Sequence, residues 1–377
     1  MGLKKIGILI NSLEAGGAER VVSLLINELN SKNIEPYLFL INDKRYYKIN
    51  SKIRILSLNN IKQECNYLGF FSHAYNYSKL LKKNDIKISI SFLTRSNYIN
   101  ILSSVFYTKK TIISERGYPS LGYKGYKIKS LINRFLIKLL YRNSNLIIAN
   151  SKGNYNDLLE NFNVPKHKLK LIHNPINIDS ISKYKSIEGF FDKNFTNLIS
   201  VGRLDDNKNF SFQINAIKKL NDNKIRLYIF GDGPNMLKLE KLIIELKLQN
   251  QVFLRGKVLN IFSYLKSADA FIFSSLSEGF PNVILEAISC KIPVISTNCL
   301  SGPDEILFNK IMFLKENVKS DFGILCPYNN LDKFVEAIES YCLEKAYWKD
   351  KVSKKYKSRI KDFDLKLITN QFLKELI

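Results

Sequence analysis

The stretch Phe273-Ser-Ser-Leu-Ser-Glu-Gly-Phe-Pro-Asn-Val-Ile-Leu-Glu-Ala287 gathers more reactive and conformationally special residues than any other part of the chain. An apolar run ends there, Glu278 falls in a loop, and Gly279 permits a sharp turn. Pro281 is expected at the first position of a helix, where its missing N–H costs nothing. The amides of residues 279–283, Gly279, Phe280, Asn282 and Val283 among them, would then point out of a helix N-terminus, which suits an anion. Glu286 follows eight positions after Glu278. Two carboxylates beside an anion repel it unless each accepts hydrogen bonds from hydroxyls, and sugar and ribose hydroxyls meet that need. The blander reading leaves Glu286 exposed on the helix and Glu278 as an acid favoured by the helix dipole.

Cations for the same anion stand in Ser200-Val-Gly-Arg-Leu-Asp-Asp-Asn-Lys-Asn209. Gly202 follows a strand, and Arg203 and Lys208 project from the loop before the next helix. A diphosphate suits this pair, with Arg as a bidentate donor and Lys as a point charge. Surface solvation is the alternative for either residue alone. In Ile229-Phe-Gly-Asp-Gly-Pro234, Gly231 and Gly233 serve equally well a plain turn or a close approach of backbone to a ligand. Near the start, Gly16 and Gly17 of Asn11-Ser-Leu-Glu-Ala-Gly-Gly-Ala-Glu-Arg20 stand at a helix entry. They do not form G-x-G-x-x-G, and a tight strand-to-helix turn explains them about as well as phosphate binding does.

Strands must carry these loops. Short β-branched runs fall at residues 6–10, 37–41, 53–58, 88–92, 111–114, 146–149 and 169–172, then at 198–201, 226–230, 252–254, 270–273 and 293–296. Amphipathic segments lie between them, such as 19–29 with Val22, Leu25, Ile26 and Leu29 on one stripe. Such alternation predicts an α/β protein with parallel sheets covered by helices on both faces. Residues 174–194 break the rhythm with Pro175, Gly189 and polar side chains. At ~150 residues per domain, 377 residues suit two domains. The expectation is two doubly wound domains facing a cleft, with ligands beyond the carboxyl ends of the strands.

Composition narrows the class. Hydrophobic residues make up 45% and charged residues 24%, so general disorder is excluded. The net charge of +24 favours an anionic partner, although Lys- and Asn-rich codon bias explains the total equally well. Cys65, Cys290, Cys299, Cys326 and Cys342 show no C-x-x-C spacing, which predicts a reducing compartment. The first apolar run is too short for a signal-peptide core, and no stretch of ~20 apolar residues spans a bilayer. A cytoplasmic chain, peripheral on the inner face of the plasma membrane, is expected.

Taken together, Gly-Gly-Ala-Glu-Arg, Val-Gly-Arg-Leu with Asn-Lys-Asn, Phe-Gly-Asp-Gly-Pro and Glu-Gly-Phe-Pro-Asn-Val-Ile-Leu-Glu-Ala resemble glycosyltransferase family 4 over nearly the whole chain. The family comprises retaining transferases of the GT-B fold, two Rossmann-like domains that use nucleotide-sugar donors. Its most similar members are bacterial enzymes that extend lipid-linked oligosaccharides for O-antigen, capsule or protein glycosylation. The resemblance implies an acceptor-side domain at 1–180, a nucleotide-sugar domain at 181–355, and a final helix at 356–377 crossing back to the first. It implies Arg203 and Lys208 for the diphosphate and Gly17, beside Gly16, near the donor phosphate. Glu278 would lie beside the donor sugar and act in catalysis with Arg203 and Lys208, while Glu286 would accept from the ribose. Gly202, Gly231, Gly279, Phe280, Asn282 and Val283 would complete the donor site, with Lys257 and Val258 flanking the base. In Ile113-Ser-Glu-Arg-Gly117 many relatives carry a His where Arg116 stands, so only an acceptor-side role is expected for Glu115 and Arg116.

The implied donor is a UDP-linked hexose or N-acetylhexosamine, and the implied acceptor a polyprenyl-diphosphate or other lipid-linked saccharide. No cofactor is expected. Fixed cations and helix-end amides can stabilise a departing nucleoside diphosphate without a metal. The one D-x-D, Asp362-Phe-Asp364, lies far from the motifs, and His73, His167 and His173 have no ligand spacing. Lys124, Lys127, Lys129, Arg134, Lys138 and Arg142 punctuate an apolar stripe, as in a helix lying on an anionic membrane, unless that stripe packs on the core. The basic residues of 349–361 offer a second such contact. A nucleotide-sugar 2-epimerase on the same fold lacks a dedicated acid–base set here. A nucleic-acid-binding protein would explain the charge but neither Glu278 nor Glu286, so no nucleic acid is expected as a partner.

Overall fold

The computed structural model describes residues 3–32, 34–58, 67–121 and 127–377. The chain divides into two compact units, Met1–Pro175 with Phe363–Ile377, and Ile176–Asp362. Residues 176–180 and 356–362 thus go with the second unit, while the closing helix Leu365–Leu376 goes with the first.

The first unit holds β1 (Lys4–Ile10), β2 (Ile34–Leu40), β3 (Arg54–Ser57), β4 (Ile88–Phe92), β5 (Lys110–Glu115), β6 (Leu146–Ala149) and β7 (Leu169–Leu171). They pair in parallel in the order β3-β2-β1-β4-β5-β6-β7. Ile6, Ile8, Leu9 and Ile10 are fully buried, as a strand covered on both faces requires. Helix Gly17–Leu29 buries Val22, Leu25, Ile26 and Leu29 in one cluster with Ile368, Phe372 and Leu376 of the closing helix. The end of the chain is therefore part of this unit's core.

β4 departs from simple apolar packing. Ser89 and Ser91 are fully buried and donate to Asn100 and Asn97 of helix Thr94–Ser103 (2.9 and 2.8 Å). Nearby, Lys109 is buried with Asn100 O, Ser104 Oγ and Thr111 Oγ1 as hydrogen-bond acceptors (2.9–3.1 Å). Burial pushes its ammonium from 10.5 down to about 7. Between those values the unfolded chain binds a proton that the folded chain does not, so stability rises with pH across that window and is lost as pH falls toward 7. Denaturant titrations at pH 7 and 9 are expected to show a gain on the order of 2 kcal/mol in the parent that Lys109→Met lacks. Equal pH slopes in the two proteins would show that Lys109 stays charged.

The second unit repeats the winding with β8 (Thr196–Val201), β9 (Ile225–Phe230), β10 (Val252–Leu254), β11 (Ala270–Phe273), β12 (Val294–Thr297), β13 (Val318–Lys319) and β14 (Gly323–Cys326). Their order is β10-β9-β8-β11-β12-β14-β13, parallel except where β13 pairs antiparallel with β14. The last two strands escape the sequence reading. β13 has only two residues, and β14 opens on Gly323, which reads as a strand breaker. At φ +152° a Cβ on Gly323 would lie 1.8 Å from the Val294 carbonyl oxygen, so the sheet itself requires glycine there. Among the parallel strands of each sheet the order reverses between β1 and β4 and between β8 and β11. Loops at the carboxyl ends of those pairs frame the crevice where such sheets bind ligands.

Cys290, Cys299, Cys326 and Cys342 are free thiols, and Cys65 lies outside the described residues. Among the described residues no helix is long and apolar enough to cross a membrane.

Candidate functional site

The carboxyl ends of β8 to β11 bring four loops of the second unit together. After β8, the Asp205 carboxylate accepts from the Lys208 N–H (3.1 Å) and closes the 3-10 turn Asp206–Lys208. Asn209 then takes a left-handed φ of +53°, which asparagine tolerates, and leads into helix Phe210–Leu220. After β9, Gly231 adopts φ +150° with the Gly202 carbonyl against it, and its N–H donates to Gly256 O (2.8 Å). A Cβ on Gly233 would lie 2.5 Å from the Leu204 carbonyl oxygen. These two glycines thus admit the neighbouring loop's backbone. Lys257 and Val258 continue directly from Gly256.

The loops after β8 and β11 are laced together. Leu276 N–H donates to Asn207 O and Asn207 Nδ2 donates to Ser277 O, both at 2.7 Å. Ser274 Oγ donates to Asn209 O (3.1 Å) and accepts from Gln213 Nε2 (2.9 Å). Across this seam Lys208 Nζ donates to Glu278 Oε1 at 2.5 Å, with side-chain exposures of 24% and 13%. Burial pushes the Lys208 ammonium down, but the charge and hydrogen bond of Glu278, backed by Asp205, outweigh it, and the net direction is up. Lys208 therefore stays charged at the mouth of the crevice. Arg203 is exposed beside it, 3.8 Å from Asp205.

Helix Asn282–Ser289 starts one residue later than the sequence suggests. Pro281 precedes it instead of opening it, and has no side-chain group to cap it. Ser301 Oγ donates to Gly279 O (2.7 Å), and Gly302, at φ +102°, leaves room for the Pro281 ring. Phe280 is buried, and so is Glu286 at 5% exposure, which removes the reading of Glu286 as an exposed helix acid. Val283 follows Asn282 in the first turn. Gly202, Arg203, Lys208, Gly231, Glu278 and Gly279 are thus gathered at one edge of the sheet. Ser274, Gln213 and Ser301, which brace that edge, were not singled out from sequence, where a lone Ser or Gln carries no signal.

The other expected site residues lie in the first unit. Gly16 precedes helix Gly17–Leu29, and the Glu19 carboxylate folds back so that a Cβ on Gly16 would meet it at 2.1 Å. Burial pushes the Glu19 carboxyl up. Glu115 ends β5 fully enclosed, accepting from the Tyr141 hydroxyl, the N–H groups of Arg116 and Gly117 (3.0 and 3.1 Å) and the Thr94 hydroxyl (3.4 Å). Burial pushes its carboxyl up despite those donors. Arg116 Nη1 donates to Asn174 Oδ1 (2.5 Å), and the guanidinium lies over the rings of Phe92 and Phe372 (4.7 and 5.8 Å). Burial pushes it down to about 9, and its Nε and Nη2 have no hydrogen-bond partner among the described residues. Arg116 thus straps the end of β4 to the closing helix, a packing role that the motif did not suggest.

Lys124 and the side chains of Lys127 and Lys129 lie outside the described residues. Arg134 and Lys138 stand on helix Lys127–Leu140, Arg134 over the Phe162 ring at 5.3 Å and Lys138 exposed. Asp362 pairs with Arg359 (2.7 Å), and Asp364 caps the closing helix by accepting from Lys366 N–H (2.9 Å). His173 packs edge-on against Phe363 at 5.3 Å, and His73 faces Gly69 O. Among the described residues no cluster of His, Cys, Asp and Glu could hold a metal ion.

Known proteins fit this arrangement. The family profile described as Glycosyltransferase Family 4 matches residues 15–180, and that described as Glycosyl transferases group 1 matches 183–361. The chain is 34% identical over 383 residues, covering all of both proteins, to the N-acetylgalactosamine-N,N'-diacetylbacillosaminyl-diphospho-undecaprenol 4-alpha-N-acetylgalactosaminyltransferase of Campylobacter jejuni. A second C. jejuni enzyme, an alpha-1,4-N-acetyl-D-galactosaminyltransferase named for a diNAcBac-PP-undecaprenol-linked substrate, is 26% identical over 99% of this chain and 98% of its own. In fold, the chain matches the HepE protein of Anabaena, solved with UDP and glucose, at a TM-score of 0.79 and 18% identity over 99% of each chain. A four-loop edge built from a Gly-Arg turn, a Lys–Glu pair and a helix N-terminus, on a chain related end to end to a known transferase, makes this protein a glycosyltransferase of family 4 with the GT-B fold.

Proposed function

We propose that the enzyme is a retaining transferase moving an N-acetylhexosamine from a UDP-linked donor to a saccharide carried on a polyprenyl diphosphate. It would work without a metal, on the cytoplasmic face of the membrane. The observation that carries this reading is the Lys208–Glu278 pair, a cation and a carboxylate held together at the crevice of a doubly wound sheet. Cleavage of the anomeric bond leaves negative charge on the nucleoside diphosphate and positive charge on the ring. Lys208, Arg203 and the amides opening helix Asn282–Ser289 suit the first charge, and Glu278 suits the ring and its hydroxyls. Glu286, enclosed in that helix, would accept from the ribose, and Lys257 with Val258 would flank the base. The N-acetylgalactosaminyl group transferred and the undecaprenol-diphosphate-linked saccharides in the names of the two Campylobacter relatives support the sugar and acceptor classes.

Incubation with labelled nucleotide sugars, with and without membrane lipid extract, tests the reading. Label is expected in the lipid phase from a UDP-N-acetylhexosamine and only when lipid is present. Conversion of the free nucleotide sugar to its epimer without lipid would overturn the proposal.

On this reading Lys208 and Arg203 stabilise the leaving group in place of a metal. Activity is therefore expected to persist in excess chelator after exhaustive dialysis. Complete loss, restored by magnesium or manganese, would point to a metal that this reading leaves out.

A further inference from the structure

Residues 292–307 are all buried except Leu300, which is 49% exposed. Leu300 stands in the loop after β12, and β12 pairs with β11 on one side and β14 on the other. This loop packs on the edge that carries the Lys208–Glu278 pair. Ser301 Oγ donates to Gly279 O (2.7 Å), and a Cβ on Gly302 would lie 2.3 Å from Pro281 Cδ. Leu300 therefore adjoins the turn that holds Glu278, Gly279 and Phe280.

The loop after β14 reaches the same edge. Asn298 N–H donates to Cys326 O (2.9 Å), and Asn209 Nδ2 donates to Asn329 Oδ1 (3.5 Å). Between those two contacts stands Tyr328, 44% exposed. Cys299 lies between this residue and the charged pair. Burial first, and then the Glu278 charge, push the Cys299 thiol up. Burial first, and then Cys299, push the Tyr328 hydroxyl up. Tyr328 thus keeps its proton at neutral pH and can donate it in a hydrogen bond.

A single exposed Leu is ordinary on a surface, but here it is the one side chain that a buried stretch turns outward, beside a charged site. Loops follow strand order along this edge. Lys257 and Val258 come after β10, Arg203 and Lys208 after β8, Glu278 after β11, and Leu300 and Tyr328 after β12 and β14. The first three positions match the order of base, diphosphate and sugar in a nucleotide sugar. The next position falls to whatever projects from the sugar, and with no cation it suits an uncharged, partly apolar group. We propose that Leu300 and Tyr328 form a subsite for the acetamido group of the donor sugar. Leu300 covers its methyl, and the Tyr328 hydroxyl donates to its carbonyl oxygen. A plain hexose offers only a hydroxyl there, too small to cover Leu300. The inference rests on the proposed transfer of an N-acetylhexosamine and deepens it, naming the side chains that read the sugar.

The test compares UDP-N-acetylgalactosamine with UDP-galactose on one lipid-linked acceptor. Leu300→Ser should lower kcat/KM for the acetamido donor about tenfold or more, and for UDP-galactose by much less. Tyr328→Phe should narrow the same preference by about fivefold, the worth of one hydrogen bond, and Leu300→Met should keep it. Both side chains are exposed, so melting temperatures should hold. Calorimetric titration of each donor without acceptor gives a second readout. The parent should bind UDP-N-acetylgalactosamine more tightly than UDP-galactose, and Leu300→Ser should lose that margin. Equal binding of the two donors by the parent, an unchanged preference in Leu300→Ser, or equal losses on both donors would each overturn the subsite. So would variants that change only the response to an acceptor lacking its acetamido groups. Absence of transfer in the parent, with the binding margin present and lost in Leu300→Ser, would count against the proposed reaction while upholding the subsite.

Discussion

Lys208→Ala is expected to lower kcat/KM by at least ~2 kcal/mol, roughly thirtyfold, with donor affinity and turnover falling together. The substitution acts twice. It removes a cation from the site proposed for the diphosphate, and it strips Glu278 of its partner at 2.5 Å while that carboxylate stays largely enclosed. An unpaired, half-desolvated carboxylate beside an arriving diphosphate is repulsive, so the loss should exceed that of a cation in water. Arg203→Ala should reach a similar size with less effect on stability, because Arg203 is exposed and holds only a loose contact with Asp205. Steady-state kinetics with saturating acceptor separate the two terms. Unchanged kinetics in both variants would remove the diphosphate assignment.

Gly231→Ala should be at least as damaging, for a reason of backbone geometry. At φ +150° the added Cβ would lie 1.8 Å from the Gly202 carbonyl oxygen and 2.9 Å from its carbon. No rotamer relieves a clash with backbone, so the loop after β8 must move, and Arg203 and Lys208 move with it. A stability loss of about 3 kcal/mol or more is expected, with activity depressed even in the fraction that stays folded. Thermal melts and the specific activity of folded protein measure the two effects. A variant with parental stability and activity would show that the two strand ends do not need to touch.

Period and punctuation made most of the fold legible. The continuous apolar run 270–273 is a strand with the expected bounds, because a strand covered on both faces needs no polar side, and the β-branched run 88–92 is one as well. The same logic hid what Ser89 and Ser91 do. Alternating Ile and Ser reads as half-exposed, whereas the serines are buried against Asn97 and Asn100, partners that no local pattern announces. β14 was hidden by Gly323, whose need is set by Val294, far away in sequence. At the site, residue types and spacing pointed to Arg203, Lys208 and Glu278 as a group, but not to the direct Lys208–Glu278 bond, since spacing says nothing of pairing across two strands. Arg116 was the least legible. Its guanidinium is held by Phe92, Asn174 and Phe372, three residues that only the closed fold assembles.

The central claim is a retaining transfer to a lipid-diphosphate saccharide, and the product tests it most directly. The enzyme would be incubated with UDP-N-acetylgalactosamine and a polyprenyl-diphosphate-linked saccharide, and the extended lipid isolated for proton NMR. The account predicts one added sugar whose new linkage keeps the α configuration of the donor. An inverted, β-linked product, or a lipid returned unextended while the nucleotide sugar is consumed, would contradict it.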